Sequence, residues 1–132
     1  MKIDRIDHFV LTVKNLEATC EFYSQVLGME VVTFNQGRVA LKFGNQKFNL
    51  HEVGREIEPR AIKPTPGSAD FCLITEDSLL SVIDRLKTCG IEIIEKLVSR
   101  NGAIGKIRSI YIRDPDGNLV EISSYEQEDN KL

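Results

Sequence analysis

Two histidines and two carboxylates occupy corresponding places in the two halves of the sequence. His8 and Asp70 stand in similar apolar stretches, and His51 and Glu121 stand in the stretches that close the two halves. Imidazole nitrogens and carboxylate oxygens together suit a divalent transition metal such as Zn, Ni, Co, Mn or Fe, with positions left open for water or a substrate. The residues therefore predict a metal site made from His8, His51, Asp70 and Glu121.

Such a site predicts acid–base chemistry on a small molecule rich in oxygen. A metal held there would act as a Lewis acid and stabilise an oxyanion of the substrate. Glu121 or Asp70 would then move the proton, since either carboxylate interrupts an apolar run. Three cations on strands of the first half are candidates to hold an anionic substrate, with solvated surface charges as the alternative; they are Arg38, Lys42 and Lys47.

These residues are positioned by a pattern that occurs twice. In residues 6–13, side chains alternate between an apolar set and a set that contains His8, as along a half-buried strand. A helix follows, and the same order returns 62 residues later. The offset of 62 relates three pairs of features, namely His8 with Asp70, the helix caps Asn15 and Asp77, and the helix stops Gly28 and Gly90. The chain is therefore predicted to contain two βαβββ modules.

The predicted boundaries are module one at 3–53, a proline-rich linker at 54–67, module two at 68–125 and a frayed tail at 126–132. The strands are predicted at 3–13, 29–34, 38–43, 47–53, 68–75, 91–98, 107–113 and 119–124. At the last strands the offset becomes 70, which pairs His51 with Glu121. The eight extra residues fall in a predicted loop near 99–106, and residues 114–118 are predicted to form a tight turn.

Composition and charge limit the kinds of molecule that the protein is expected to bind. The formal net charge of −3 and the scattered Lys and Arg residues argue against a nucleic acid. No apolar run reaches the length that crosses a bilayer, and the N-terminus lacks a signal-peptide pattern, which together predict a cytoplasmic location without a membrane partner. Three cysteines stand in apolar patterns and are expected to be buried small hydrophobes; they are Cys20, Cys72 and Cys89.

The motifs resemble those of a known superfamily. DHFVLTV in the first strand, FYSQVLGMEVV after the first helix begins, and RDPDGNLVEI before the end are similar to the vicinal-oxygen-chelate superfamily, also called the glyoxalase/bleomycin resistance/dioxygenase group. GRVALKFGNQKFNLHEVG and PGSADFCLIT resemble its glyoxalase-domain-containing-5-like and virulence-protein subgroup. The resemblance covers about residues 3–125.

This resemblance implies an α+β fold in which two curved mixed sheets form a cup around a metal. In metal-dependent members, ligands come from the first and last strands of each module, which by position are His8, His51, Asp70 and Glu121. The family often has histidine where this chain has Asp70. Asp70 is therefore either a ligand or a neighbouring general base. The resemblance also implies a homodimer.

The function that the resemblance favours is a metal-dependent, glyoxalase-like lyase or isomerase that chelates its substrate through two oxygens. Two alternatives stay open. One is a dioxygenase-type enzyme, and the other is a non-catalytic binding protein of the bleomycin-resistance type that sequesters a drug-like molecule. The candidate pocket residues for that second alternative are Phe43, Phe48, Phe71 and Tyr111.

Overall fold

The computed structural model describes residues 1–126, which contain eight strands and two α-helices. The strands are β1 (His8–Val13), β2 (Glu30–Phe34), β3 (Arg38–Phe43), β4 (Gln46–Glu52), β5 (Asp70–Ile74), β6 (Glu95–Asn101), β7 (Lys106–Arg113) and β8 (Leu119–Tyr125). The helices are α1 (Leu16–Glu21), which a π-helical turn at Phe22–Val26 extends, and α2 (Leu79–Thr88). The order confirms two βαβββ modules.

The chain divides into two compact units. Unit 1 contains Met1–Ala69 and Pro115–Gly117, and unit 2 contains Asp70–Asp114 and the residues from 118 onward. Residues 53–69, which include the predicted linker, form neither helix nor strand. Apart from Glu126, the predicted tail lies outside the described residues.

The ends of the helices follow local rules of capping. Asn15 accepts a hydrogen bond from the backbone N–H of Ala18 at 2.9 Å, as predicted for the cap of α1. The cap predicted at Asp77 is wrong by one residue. Ser78 caps α2 by accepting from the Ser81 N–H at 3.1 Å, and the Asp77 N–H donates to the Thr75 hydroxyl just before the helix.

Unit 1 contains a four-stranded mixed sheet, sheet A, in the order β1-β4-β3-β2, with β1 parallel to β4. The first and last strands of the module are neighbours, and β1 forms the edge. One face of sheet A is apolar and buried. Its Phe48 ring lies 5.9 Å from the Tyr23 ring of the π-helical turn and 4.9 Å from the Phe43 ring. Phe43 and Phe48 therefore pack on the buried face, opposite the face that carries His8 and His51.

Unit 2 repeats this arrangement in sheet B, whose order is β5-β8-β7-β6, with β5 parallel to β8. The residues of its buried face are Ile110, Ile112, Val120 and Ile122. Helix α2 buries Leu79, Ile83 and Leu86, which lie on one side of the helix at helical spacing. The opposite face of sheet B carries Glu121 and Tyr111.

Four predicted strands begin later than the alternation indicates, namely β1, β2, β5 and β6, and the difference is largest for β1 and β6. β1 begins at His8 rather than at residue 3, and the side chain of Gln46, at the start of β4, donates to the Ile6 carbonyl at 2.9 Å. β6 begins at Glu95 rather than 91 and continues to Asn101, through part of the predicted loop. A register shift around Leu97, which has φ of 57°, displaces this strand along β7.

The predicted turn at 114–118 is confirmed. The two Asp114 carboxylate oxygens accept from the backbone N–H and the side-chain amide of Asn118, at 2.9 and 2.8 Å. Within residues 1–126, no helix is long and apolar enough to cross a membrane.

Substitution of Gly67 is predicted to destabilise the protein more than substitution of other glycines with similar backbone angles. It has φ of +82°, and a Cβ atom there would lie 2.5 Å from the Asp116 carbonyl oxygen. We expect Gly67→Ala to lower the free energy of unfolding by about 2–4 kcal/mol. Gly54, with φ of +85° and open space around its Cβ position, is the matched control. Urea unfolding of both alanine variants measures the difference, and equal losses would contradict the close contact.

Candidate functional site

The four residues predicted to bind metal differ in their surroundings. His8 is exposed at the start of β1, and its Nδ1 atom lies 2.9 Å from Asp7 Oδ1. His51 is only 6% exposed near the end of β4. In unit 2, Asp70 is exposed at the start of β5, and Glu121 is half-buried in β8.

The two histidines share one face of sheet A but are not neighbours on it. His8 lies beside Lys47, whereas His51 lies beside Thr12, four residues further along β1. Four residues correspond to about 13 Å along a strand. The structure therefore separates the side chains of His8 and His51, which were predicted to bind the same metal.

The register also corrects how the repeat is aligned at its last strand. Val10 of β1 lies opposite Asn49, and Cys72, which follows Val10 by 62 residues, lies opposite Glu121. Asn49, rather than His51, thus takes the position of Glu121 in the repeat. The offset at the last strands is 72 because module two holds ten extra residues there instead of eight.

Two buried polar atoms on this face of sheet A lack hydrogen-bond partners. They are Asn49 Oδ1 and His51 Nε2, in residues that are 5% and 6% exposed. Burial lowers the pKa of His51, the positive charge of Arg38 lowers it further, and Glu56 opposes the shift. His51 is therefore a neutral imidazole at neutral pH.

The same face carries a pair of cations arranged on an aromatic ring. Lys47 Nζ lies 3.9 Å from the centre of the Phe34 ring, and the Arg38 guanidinium carbon lies 5.0 Å from it. Both cations are half-buried, and neither forms an ion pair within the described part of the chain. Lys47 lies beside His8 in the strand register. The positive charge of Arg38 acts on His51 and lowers its pKa.

These surroundings do not fit a divalent metal on sheet A. A nearby cation disfavours a bound metal for the same reason that it disfavours the proton on His51. Moreover, nowhere in residues 1–126 do three His, Cys, Asp or Glu side chains come together as a metal site requires. The partnerless atoms of Asn49 and His51 stay open to a ligand that forms hydrogen bonds with them.

On sheet B, Glu121 is the centre of a hydrogen-bonded cluster. Ser109 donates to Glu121 Oε2 at 2.5 Å, and Ser123 lies 2.7 Å from Ser109 and 3.4 Å from the same carboxylate oxygen. Both serines are fully buried. They hold one carboxylate oxygen in a fixed position.

Tyr111 and Arg100 lie next to this cluster on the same face of sheet B. Tyr111 stands opposite Glu121 in the strand register, and its hydroxyl accepts from Arg100 Nε at 3.0 Å. Burial raises the pKa of Tyr111, as does the charge of Glu121, while Arg100 opposes the shift. The phenol is therefore a proton donor at neutral pH.

The three cysteines were predicted to be buried, and this prediction is wrong. Cys72 is exposed, and Cys20 and Cys89 are intermediate. Cys72 lies on the edge strand β5, and its thiol donates to the Ser123 hydroxyl at 3.2 Å. Burial of the sulfur raises the pKa of Cys72, and Glu121 raises it further, so it remains a thiol at neutral pH.

Several residues of these clusters were missed in the sequence. Ser109 and Ser123 lie on the Glu121 face by strand alternation, but their roles depend on which strands pair. Arg100 fell in a predicted loop. Asn49 stands two residues before His51, and only the pairing of β1 with β4 identifies it.

Comparison with known proteins identifies the family of the chain. The profile described as Glyoxalase/Bleomycin resistance protein/Dioxygenase superfamily matches residues 5–122. The virulence protein STM3117 of Salmonella typhimurium is 57% identical over 125 residues, which cover 95% of this chain and 87% of that protein. Its crystal structure superposes with a TM-score of 0.94 and covers 96% of this chain and 100% of that one, at 56% identity.

Two further relatives carry enzyme-family names. The glyoxalase domain-containing protein RDO1 of Mycosarcoma maydis is 48% identical over 96% of this chain and 71% of that protein. The crystal structure of a lactoylglutathione lyase from Agrobacterium tumefaciens has a TM-score of 0.71 and 26% identity, covering 93% and 95% of the two chains. The two four-stranded mixed sheets match the fold of these proteins. The chain belongs to the glyoxalase/bleomycin resistance protein/dioxygenase superfamily.

Proposed function

We propose that this protein is an enzyme of the lyase or isomerase type that moves a proton on a small, oxygen-rich molecule. The observation that carries the proposal is the Glu121 carboxylate, half-buried on the polar face of sheet B between two serines and a tyrosine. A binding protein has no need for a carboxylate fixed by two buried hydroxyls beside a phenol. An acid–base enzyme needs such a group held in one position.

Glu121 is the proton acceptor in this proposal. It takes a proton from the carbon next to a substrate carbonyl, and the electron pair moves onto the carbonyl oxygen as an enediolate. Ser109 fixes Oε2, which leaves the other carboxylate oxygen to accept the proton. The proton then returns to the neighbouring carbon in an isomerisation, or a leaving group departs in an elimination.

Tyr111 is the donor that stabilises the developing oxyanion. Tyr111 stands opposite Glu121 in the strand register, and its neutral phenol donates to the substrate oxygen as negative charge develops there. Arg100 donates to the Tyr111 hydroxyl and so keeps its oxygen in place. Asp70 is exposed at the start of β5, so we assign it no proton transfer.

Members of the superfamily generally use divalent metals. A metal, when bound, supplies a Lewis acid for the oxyanion. The surroundings of the histidines do not fit that role on sheet A, and no step above depends on it. The metal set of His8, His51, Asp70 and Glu121 stays a prediction, as do the homodimer and the cytoplasmic location.

Turnover tests the proposal against the two alternatives. Purified protein is incubated with small hydroxy acids, hydroxyaldehydes, α-ketoaldehydes, their thiol adducts and catechols, with and without Zn, Ni, Co, Mn or Fe. We expect conversion of an α-hydroxycarbonyl or dicarbonyl compound without consumption of oxygen. Oxygen uptake with a catechol would instead indicate a dioxygenase. Saturable binding without conversion of any compound would indicate a binding protein.

A further inference from the structure

We propose that the polar face of sheet A binds the carboxylate of a small hydroxy acid, with Arg38 and Lys47 as the residues that hold the anion. The inference rests on the proposed function, because it names the class of substrate for that reaction. Its evidence is independent, since all of the residues belong to unit 1.

The first observation is a pair of half-buried cations, Arg38 and Lys47. They form no ion pair among the described residues, although the Asp7 carboxylate acts on Lys47 through space. Removing a cation from water is unfavourable unless an anion compensates for it. The Phe34 ring holds both cations, at 5.0 and 3.9 Å, and so fixes them before any ligand arrives.

The second observation is the pair of partnerless atoms on the same face. Lys47, Asn49 and His51 alternate along β4 and therefore point to one side of sheet A. Asn49 Oδ1 accepts hydrogen bonds only, so it requires a donor such as a hydroxyl group. His51 Nε2 donates in one neutral tautomer and then suits a carboxylate oxygen.

These requirements define the ligand. The guanidinium of Arg38 matches a planar carboxylate through two parallel hydrogen bonds, and Lys47 adds a point charge. A hydroxyl next to the carboxylate would donate to Asn49. Glycolate is the smallest molecule that contains both groups, and it serves as the probe.

Lys42 provides the matched control. It lies on the same face of sheet A, but it is exposed and stands opposite Glu30 of β2 in the strand register. The Lys42→Gln change removes one positive charge, as do Arg38→Gln and Lys47→Gln. A general effect of net charge would therefore be equal in the three variants.

The experiment is a titration of the isotope-labelled full-length protein with glycolate at constant ionic strength, followed by NMR. We expect saturable shifts of amide signals in β3 and β4. Arg38→Gln and Lys47→Gln are each expected to weaken binding by about 10- to 100-fold, and Lys42→Gln by less than about twofold. Glycolamide, which is neutral, and acetate, which lacks the hydroxyl, should both bind more weakly than glycolate.

The proposal is overturned if glycolamide binds as well as glycolate, or if all three variants weaken binding equally. It is also overturned if Mn²⁺ at micromolar concentration broadens the signals around His51, since that result would identify a cation site. Amide signals of the buried residues Leu41 and Leu50 that keep their positions in the ligand-free variants show that the fold of unit 1 is intact. The readout is binding to unit 1 and involves neither turnover nor Glu121, so its failure is distinguishable from failure of the proposed function.

Discussion

Glu121→Gln is expected to lower kcat by about 10²- to 10⁴-fold while KM changes little. Glutamine keeps the size of the side chain and can still accept a hydrogen bond from Ser109, which lies 2.5 Å from the carboxylate. It cannot accept a proton from carbon. The loss therefore falls on the chemical step, and steady-state kinetics on a substrate found by the turnover screen measures it.

Glu95→Gln is the matched control for that change. Glu95 lies in the same row of sheet B, opposite Tyr111 on β6, and it is exposed. Its replacement removes the same charge from the same face and is expected to change kcat by less than about threefold. Equal losses in the two variants would show that the charge of the face matters rather than proton transfer by Glu121.

Phe48→Ala is expected to lower the free energy of unfolding by about 3–5 kcal/mol. Phe48 is 5% exposed, and its ring meets those of Phe9, Tyr23 and Phe43 at 6.3, 5.9 and 4.9 Å. Truncation removes the centre of this cluster and leaves a cavity between sheet A and the π-helical turn. Urea unfolding followed by circular dichroism measures the change.

Phe9→Ala removes an equally large side chain from the same cluster at a site that is 46% exposed. We expect a loss of about 1–2 kcal/mol there, since water already reaches much of the ring. The comparison matters for function because Phe48 and Asn49 are consecutive residues of β4. A loss in Phe48→Ala no larger than in Phe9→Ala would contradict the central place of Phe48 in the core.

The fold was largely predictable because its signals are local. Alternation identified β3 without error, and Gly28 and Gly90, with φ of 73° and 72°, end the two helices as predicted. The boundaries of β1 and β6 were missed because they depend on strand pairing: β1 pairs with β4, far away in the sequence, and β6 pairs with β7 through an irregular register. A side-chain hydrogen bond from Gln46 and a register shift at Leu97 are not visible in a hydrophobic pattern.

The candidate site was predictable only in part. Glu121 stood out because a carboxylate interrupts an apolar run, and Arg38 and Lys47 stood out as cations on strands of the first half. The alignment of His51 with Glu121 was wrong by two residues. A shift of two residues keeps a side chain on the same face of its strand but changes its neighbours on the adjacent strands. Asn49 and the serines around Glu121 gain their roles from strand register, which the sequence alone did not determine.

Exchange of substrate hydrogen with solvent tests the central claim most directly. The substrate is incubated in D₂O with wild-type protein, with Glu121→Gln and with Glu95→Gln, and deuterium at the carbon next to the carbonyl is followed by NMR. We predict that wild type and Glu95→Gln incorporate deuterium at similar rates and that Glu121→Gln incorporates it at least about 100-fold more slowly. Incorporation at the wild-type rate in Glu121→Gln would contradict the assignment of Glu121 as the group that moves the proton.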